Sequence, residues 1–294
     1  MNIYTHQSEN IRNTWILMTT FLIVVIGLGW LFSLYFGNPV ILYGVLAFAF
    51  FQALVSYWFS DRIVLSLSGA REISRDTHRE LWNITENLCM ATGLTMPRLY
   101  IIQDPAPNAF ATGRNQKHGI VAVTTGLLDR LDRSEIEGVI AHELAHIGNR
   151  DMLIMTMTVV LVGFITLLAD VFLRATLWGG GNRREGGQVQ VVLMIIGFAL
   201  MILSPIIATL IRMAVSRKRE YLADATAALM TRYPEGLASA LEKISSYPRT
   251  MERANHATAH LFISNPFKDK KGAWSNMWST HPPVEERIKR LRGM

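Results

Sequence analysis

Hydrophobic residues are concentrated in four blocks, separated by a short turn, a polar region and a glycine-rich loop, with a second polar region at the end. The first block runs from Trp15 to Phe36 and the second from Val40 to about Ser60, and neither carries a charge. Each is about 20 residues long, enough to cross a ~30 Å hydrocarbon core as a helix. The turn Gly37-Asn38-Pro39 is short enough to make the two an antiparallel hairpin. The third block runs from Met152 to about Leu173. The fourth runs from Val191 to about Ile211, with Pro205 accommodated as a kink in a membrane helix. Trp178 to Gly187 reads as a flexible glycine-rich loop between them. Asp170 and Arg174 lie i, i+4 near the far end of the third block and read as a pair at the membrane surface. Residues 1–13 lack the positive start and cleavage site of a removable signal peptide.

The polar regions carry a different pattern. Asp76 to Ala91 has helical spacing, with Leu81, Ile84, Leu88 and Met90 towards a core. Arg98–Ile102 and Gly119–Thr124 read as strands. Between them, Pro107–Gly113 reads as an edge strand or a strand ending in a bulge. A helix follows from Ser134, with Ser134 and Glu137 as an S-x-x-E capping box and Val139, Ile140, Leu144 and Ile147 at helical spacing. The region after Arg212 reads as mostly helical, broken at Pro234 and Pro248 and then by a loop with Pro266, Lys268, Lys270 and Lys271.

Half of the residues are hydrophobic, and the mean hydropathy of +0.23 is high for a soluble chain that is 18% charged. That balance indicates an integral membrane protein with polar domains. The net charge of +6 does not point to nucleic acid, because the basic residues flank the apolar blocks. Arg12, Arg62, Arg71, Arg75, Arg150 and the 217–219 cluster put both polar regions on the cytoplasmic side, and the uncharged Gly37-Asn38 turn outside. Arg183 and Arg184 oppose this and are outnumbered. A lone cysteine, Cys89, excludes an intramolecular disulfide and reads as a small buried apolar residue.

The chemistry is concentrated in Ala141-His142-Glu143-Leu144-Ala145-His146, an H-E-x-x-H sequence. On a helix, His142 and His146 stand one turn apart, with Cβ atoms roughly 5–6 Å apart. Two imidazoles so placed can reach one tetrahedral zinc, and Glu143 can reach a water on it as general base. A zinc peptidase needs a third ligand and an open position. Glu220, in Arg219-Glu220-Tyr221-Leu222-Ala223-Asp224, is the best candidate, against the plain alternative of a solvated helix face. Asp224, one turn on, could fix the tautomer of a ligating histidine. The rival pair His256 and His260 has no glutamate beside it and no evident third ligand.

The combination of H-E-L-A-H, R-E-Y-L-A-D and a late S-T-H-P resembles the HtpX family of bacterial heat-shock membrane metallopeptidases. Those are gluzincins, related to the CAAX prenyl peptidase. The resemblance implies that His142, His146 and Glu220 bind one Zn2+, that Glu143 acts as base and acid, and that Asp224 orients a histidine. It implies that Asn108, Ala109, Phe110 and Ala111 pair with substrate backbone. It also implies that His281 and Arg287 lie near the open zinc position, against the alternative of a solvated helix start. The expected fold is α+β, mainly α: four transmembrane helices and a cytoplasmic zincin-like peptidase domain with a small sheet. Residues 1–60 form the hairpin, 61–151 the first part of the peptidase domain, 152–215 a second membrane pair, and 216–294 the second part. The expected function is that of a zinc endopeptidase of the cell inner membrane. It would cut membrane proteins or their cytoplasmic loops in protein quality control, with the lipid bilayer and peptide substrates as partners. Prenylated-peptide processing and non-hydrolytic zinc binding are the alternatives.

Overall fold

The computed structural model describes residues 3–156, 158, 197, 217–255, 258–267 and 282–294. Two long helices open the chain, α1 (Ile3–Phe36) and α2 (Val40–Ser68), and they pack on each other as a hairpin. Gly37 turns between them at φ +60°, where a side chain would be strained. Both helices outrun the apolar blocks that predict them. α1 begins well before Trp15, and α2 continues past Ser60 through Asp61 and Arg62. Among the described residues no helix is long and apolar enough to cross a membrane. Apart from residues 152–156, 158 and 197, the third and fourth blocks lie outside the described residues. So do Asp170, Arg174, Pro205 and the glycine-rich loop with Arg183 and Arg184.

A four-stranded sheet follows, made of β1 (Arg71–Glu72), β2 (Arg98–Ile102), β3 (Ala109–Thr112) and β4 (Ile120–Thr124), in the order β1-β2-β4-β3. β2 and β4 are parallel, and the outer pairs are antiparallel. β3 is an edge strand, as its sequence suggests, and its register with β4 is unbroken from Ala109↔Val123 to Thr112↔Ile120, so no bulge ends it. β1 has only two exposed residues and carries no alternation that could announce it.

The strands are apolar at nearly every position because both faces of the sheet are covered. Leu99, Ile101, Ala109, Ala111, Val121 and Val123 face the larger core, which includes residues of α3 (Arg79–Thr92) and α5 (Arg133–Gly148). Tyr100, Ile102, Phe110, Ile120 and Ala122 face a second core with Phe21 of α1, Val64 and Leu65 of α2, and Ile154 and Met155. α3 begins at Arg79 instead of Asp76, because residues 74–77 form a hydrogen-bonded turn. Leu81, Ile84 and Leu88 are buried as expected, but Met90 is 70% exposed. It falls off the stripe, and its neighbour Cys89 takes the inward place. Burial pushes the Cys89 thiol pKa up to about 11, so it behaves as a packed apolar group.

After the short α4 (Thr125–Arg130) comes α5, which starts one residue before Ser134. Its capping box is Asp132 with Glu135, not Ser134 with Glu137. Asp132 accepts from Glu135 N at 3.0 Å, and Glu135 Oε2 accepts from Asp132 N at 2.8 Å. Ser134 supports the cap by donating to Asp132 at 2.8 Å. Three later helices complete the unit: α6 (Arg217–Thr231), α7 (Pro234–Ser246) and α8 (Val284–Leu291). Pro234 sits in the first turn of α7, where a missing N–H costs nothing. Lys243 of α7 pairs with Glu135 at 2.6 Å, tying α7 to the start of α5. The larger core thus joins side chains from Leu81 to Leu291, so both polar regions build one unit.

α5 and α7 approach at backbone distance. A Cβ at Gly138 would lie 2.6 Å from Leu237 N, and one at Gly236 would lie 2.6 Å from Ser134 O. Gly138→Ala should therefore destabilise the protein by about 1–3 kcal/mol through overpacking. Helix propensity alone predicts a gain of up to about 1 kcal/mol. Unfolding of the two proteins, followed by denaturant titration, decides by sign.

Candidate metal centre

α5 is straight and capped, so His142 and His146 stand one above the other on a buried face, with Glu143 buried beside them. Their Nε2 atoms are 3.2 Å apart and their rings meet edge to face, 4.8 Å between centroids. α6 packs across α5 and brings Glu220 to the same point. Glu220 Oε1 lies 3.5 Å from His146 Nε2, and Oε2 lies 3.9 Å from His142 Nε2. Two nitrogens bound tetrahedrally at 2.0–2.1 Å to one metal would be about 3.3 Å apart. The spacing therefore fits a single ion. Among the described residues, His142, His146 and Glu220 are the one group of this kind.

Charge makes the same case. Glu143, Asp151, Glu220 and Asp224 are buried together, and among the described residues Arg219 and Arg287 are the buried guanidinium groups beside them. Carboxylates outnumber guanidinium groups there, a setting that favours a bound cation. His146 registers this surplus. Burial opposes its charge, yet Asp151, Glu220 and Glu143 outweigh burial and raise its pKa to about 9. At His142 burial prevails, with Arg287 adding to it, and the pKa is lowered despite Asp224.

Carboxylates stand behind both imidazoles. Asp224 Oδ1 lies 3.0 Å from His142 Nδ1, at an angle too poor for a good hydrogen bond. Its main partner is Arg287, which donates Nη2 at 2.7 Å and Nε at 2.9 Å in a bidentate pair. Burial works against ionisation of Asp224, but Arg287 and His142 hold its pKa down at about 2. Arg287 is fully buried, not on a solvated helix start, and also donates to Ile263 O at 3.1 Å. Its Nη1 lies 3.7 Å from Glu220. Behind His146, Asp151 Oδ2 lies 3.0 Å from Nδ1. Asp151 is absent from the residues that the motif suggests, since i and i+5 do not face each other on a helix.

The backbone amide of Ala111 in β3 lies by the Glu143 carboxylate and favours its ionised form. Glu143 Oε2 has no hydrogen-bond partner among the described residues. Burial is the main cause that raises the Glu143 pKa to about 7. The strand expected to receive substrate is partly engaged by the chain itself. Ile263 N donates to Ala109 O at 2.9 Å, Phe110 bridges to Phe262, and the Asn108 side chain donates to Ser264 O at 2.9 Å. His260 donates Nε2 to Met155 O at 3.0 Å, and among the described residues it joins no group that could hold a metal. His256 and His281 lie outside the described residues.

A family model, peptidase family M48, matches residues 75–294. The chain belongs to peptidase family M48. This M48 member is 45% identical to a protease HtpX homologue of Caldanaerobacter subterraneus over 99% of this chain and 98% of that one. It is 47% identical, with the same coverage, to a protease HtpX homologue of Tropheryma whipplei. Its fold is similar to the crystal structure of Ste24p from S. mikatae, with a TM-score of 0.52 and 19% identity, over 95% of this chain and 66% of that one. The M48 chain is thus a metallopeptidase, a hydrolase of peptide bonds, and its His-His-Glu group is built to bind a metal. A zinc holder without hydrolysis loses its support.

The Glu143 shift has a measurable sign in metal-free protein. Its folded pKa of about 7 lies above the ordinary 4.5, so folding favours the protonated form. That stability is full below about pH 4.5 and is lost as pH rises through 7. Glu143→Gln should match the metal-free parent at pH 4.5 and exceed it at pH 8 by up to about 3 kcal/mol. Unfolding at the two pH values checks this.

Proposed function

We propose that the chain is a zinc-dependent endopeptidase held in the cell inner membrane, with its active site on the cytoplasmic side. It cuts membrane proteins or their exposed loops as part of protein quality control. The observation that carries the chemistry is Glu143 Oε2, buried and without a hydrogen-bond partner among the described residues, beside the His142, His146 and Glu220 group. A structural metal site has no use for such a group.

Zinc, when bound, polarises the scissile carbonyl and lowers the pKa of a water towards about 7. Glu143 takes the proton of the attacking water at Oε2 and returns it to the leaving amine. Arg287 acts through Asp224, holding the carboxylate behind His142, and lines the cluster beside Glu220. The peptide backbone joins the sheet by strand addition at the edge of β3 around Ala111. Asn108, Ala109 and Phe110 frame that edge by holding residues 262–264.

The membrane setting rests on α1 and α2. Trp15, Ile23, Trp30, Leu34, Tyr43, Phe50, Phe51 and Trp58 are all exposed, an apolar surface far beyond what a water-soluble monomer presents. Residues 1–60 and 152–215 form two membrane hairpins, and 61–151 with 216–294 form the peptidase domain between and after them. Two chain segments packed in one core must share one side of the bilayer.

Purified protein tests the chemistry on casein and on a membrane protein. Glu143→Gln should keep bound zinc and lose about 10²–10⁴-fold in cleavage rate. Glu220→Ala should lose zinc and cleavage, and the exposed Glu285→Ala should lose neither. Near-normal cleavage by zinc-loaded Glu143→Gln ends the general-base assignment. Topology is checked separately by cysteine labelling. Cysteines placed at Gly37 and Gly180 should both react from outside, and labelling of Gly180 only from the cytoplasm rules out the second hairpin.

A further inference from the structure

Each histidine of the cluster is backed by a carboxylate, and each carboxylate by an arginine. Asp224 and Arg287 stand behind His142. Asp151 and Arg219 stand behind His146, with Asp151 Oδ2 at 3.0 Å from Nδ1 and Asp151 Oδ1 at 3.9 Å from Arg219 Nε. All four backing residues are buried, and Asp151 has no exposed surface.

The second pair exists because the backbone breaks. On a continuous helix, residues five apart are rotated by about 140° and cannot meet. α5 ends at Gly148, and Arg150 adopts φ +59°, a left-handed conformation that non-glycine residues rarely take. The chain turns there, helix resumes at residue 151, and the Asp151 side chain points back at His146. A strained residue at the junction of two helices, next to a metal ligand, is where a geometric demand outweighs local preference.

We propose that Asp151, backed by Arg219, is the positioning residue for the second metal ligand. It accepts the Nδ1–H of His146, which fixes the tautomer and turns the Nε2 lone pair towards the metal. Arg219 stands on the far side of the carboxylate as its counter-charge, with Nε 3.9 Å from Asp151 Oδ1. The consequence is that metal affinity depends on the junction at 148–151, not only on the motif. This rests on the reading that His142, His146 and Glu220 hold zinc.

The test measures metal binding by the full-length protein in detergent, with zinc titrated against a chelator and cobalt as spectroscopic probe. Asp151→Ala should weaken zinc about 10–100-fold and change the cobalt absorption spectrum. Asp151→Asn keeps an acceptor oxygen and loses the charge, so its loss should be smaller, about 3–10-fold. A purely structural role would move the unfolding midpoint and leave both readouts alone. Folded Asp151→Ala with zinc affinity within about twofold of the parent overturns the assignment. If Asp151→Ala fails to fold, unchanged affinity and spectrum in Asp151→Asn overturn it instead. Failure of the parent to bind zinc, or equal binding by His146→Ala, removes the zinc reading itself. Loss in His146→Ala with none in the Asp151 variants removes Asp151 alone.

Discussion

The contact on which the metal centre most depends is the bidentate pair between Arg287 and Asp224. A guanidinium with no exposed surface is costly unless every donor is used and its charge is met. Here two donors go to Asp224, one goes to Ile263 O, and Glu220 and Glu143 add favourable field. That one side chain joins α8 to α6 and to the segment beside β3. α8 is only eight residues long and too short to persist alone. It is held by Arg287 and Leu291, both fully buried. The C-terminal end of the chain is therefore part of the metal centre, although it supplies no ligand to the His-His-Glu group.

α5 is constrained at both ends in ways that suit a ligand-bearing helix. At its start, the Asp132–Glu135 box is itself held by Ser239 and Lys243 of α7. At its end, Arg150 breaks the helix so that Asp151 returns to His146. Between them, Gly138 lets α7 close onto the backbone. Such support keeps two imidazoles within the tolerance that a metal requires.

Much of the site was legible in the sequence, because its spacing is local. H-E-x-x-H lies within two helical turns, and Glu220 sits on a helix whose small neighbours, Ala223 and Ala227, betray close packing. Strands β2, β3 and β4 show through their apolar runs. What escaped depends on long-range or irregular geometry. Asp151 reaches His146 only across a helix break. The resemblance sets Arg287 near the metal, but only folding reveals the buried carboxylate it meets, Asp224. The cap at Asp132 was missed because Ser134 and Glu137 offer the same pattern two residues later. Met90 was misplaced because a hydrophobic residue next to the stripe looks like part of it.

The sheet has a further consequence for how the enzyme can be handled. Its second face, with Tyr100, Ile102, Phe110, Ile120 and Ala122, packs on Phe21, Val64 and Leu65 from the foot of the hairpin. That face includes Phe110 of β3, whose neighbour Ala111 lies by Glu143 on the other side. Cutting the chain between the hairpin and β1 would uncover a sticky apolar floor directly under the strand that lies beside Glu143. The catalytic part of this molecule is thus not a detachable head on an inert anchor. The end of the hairpin is one wall of its interior.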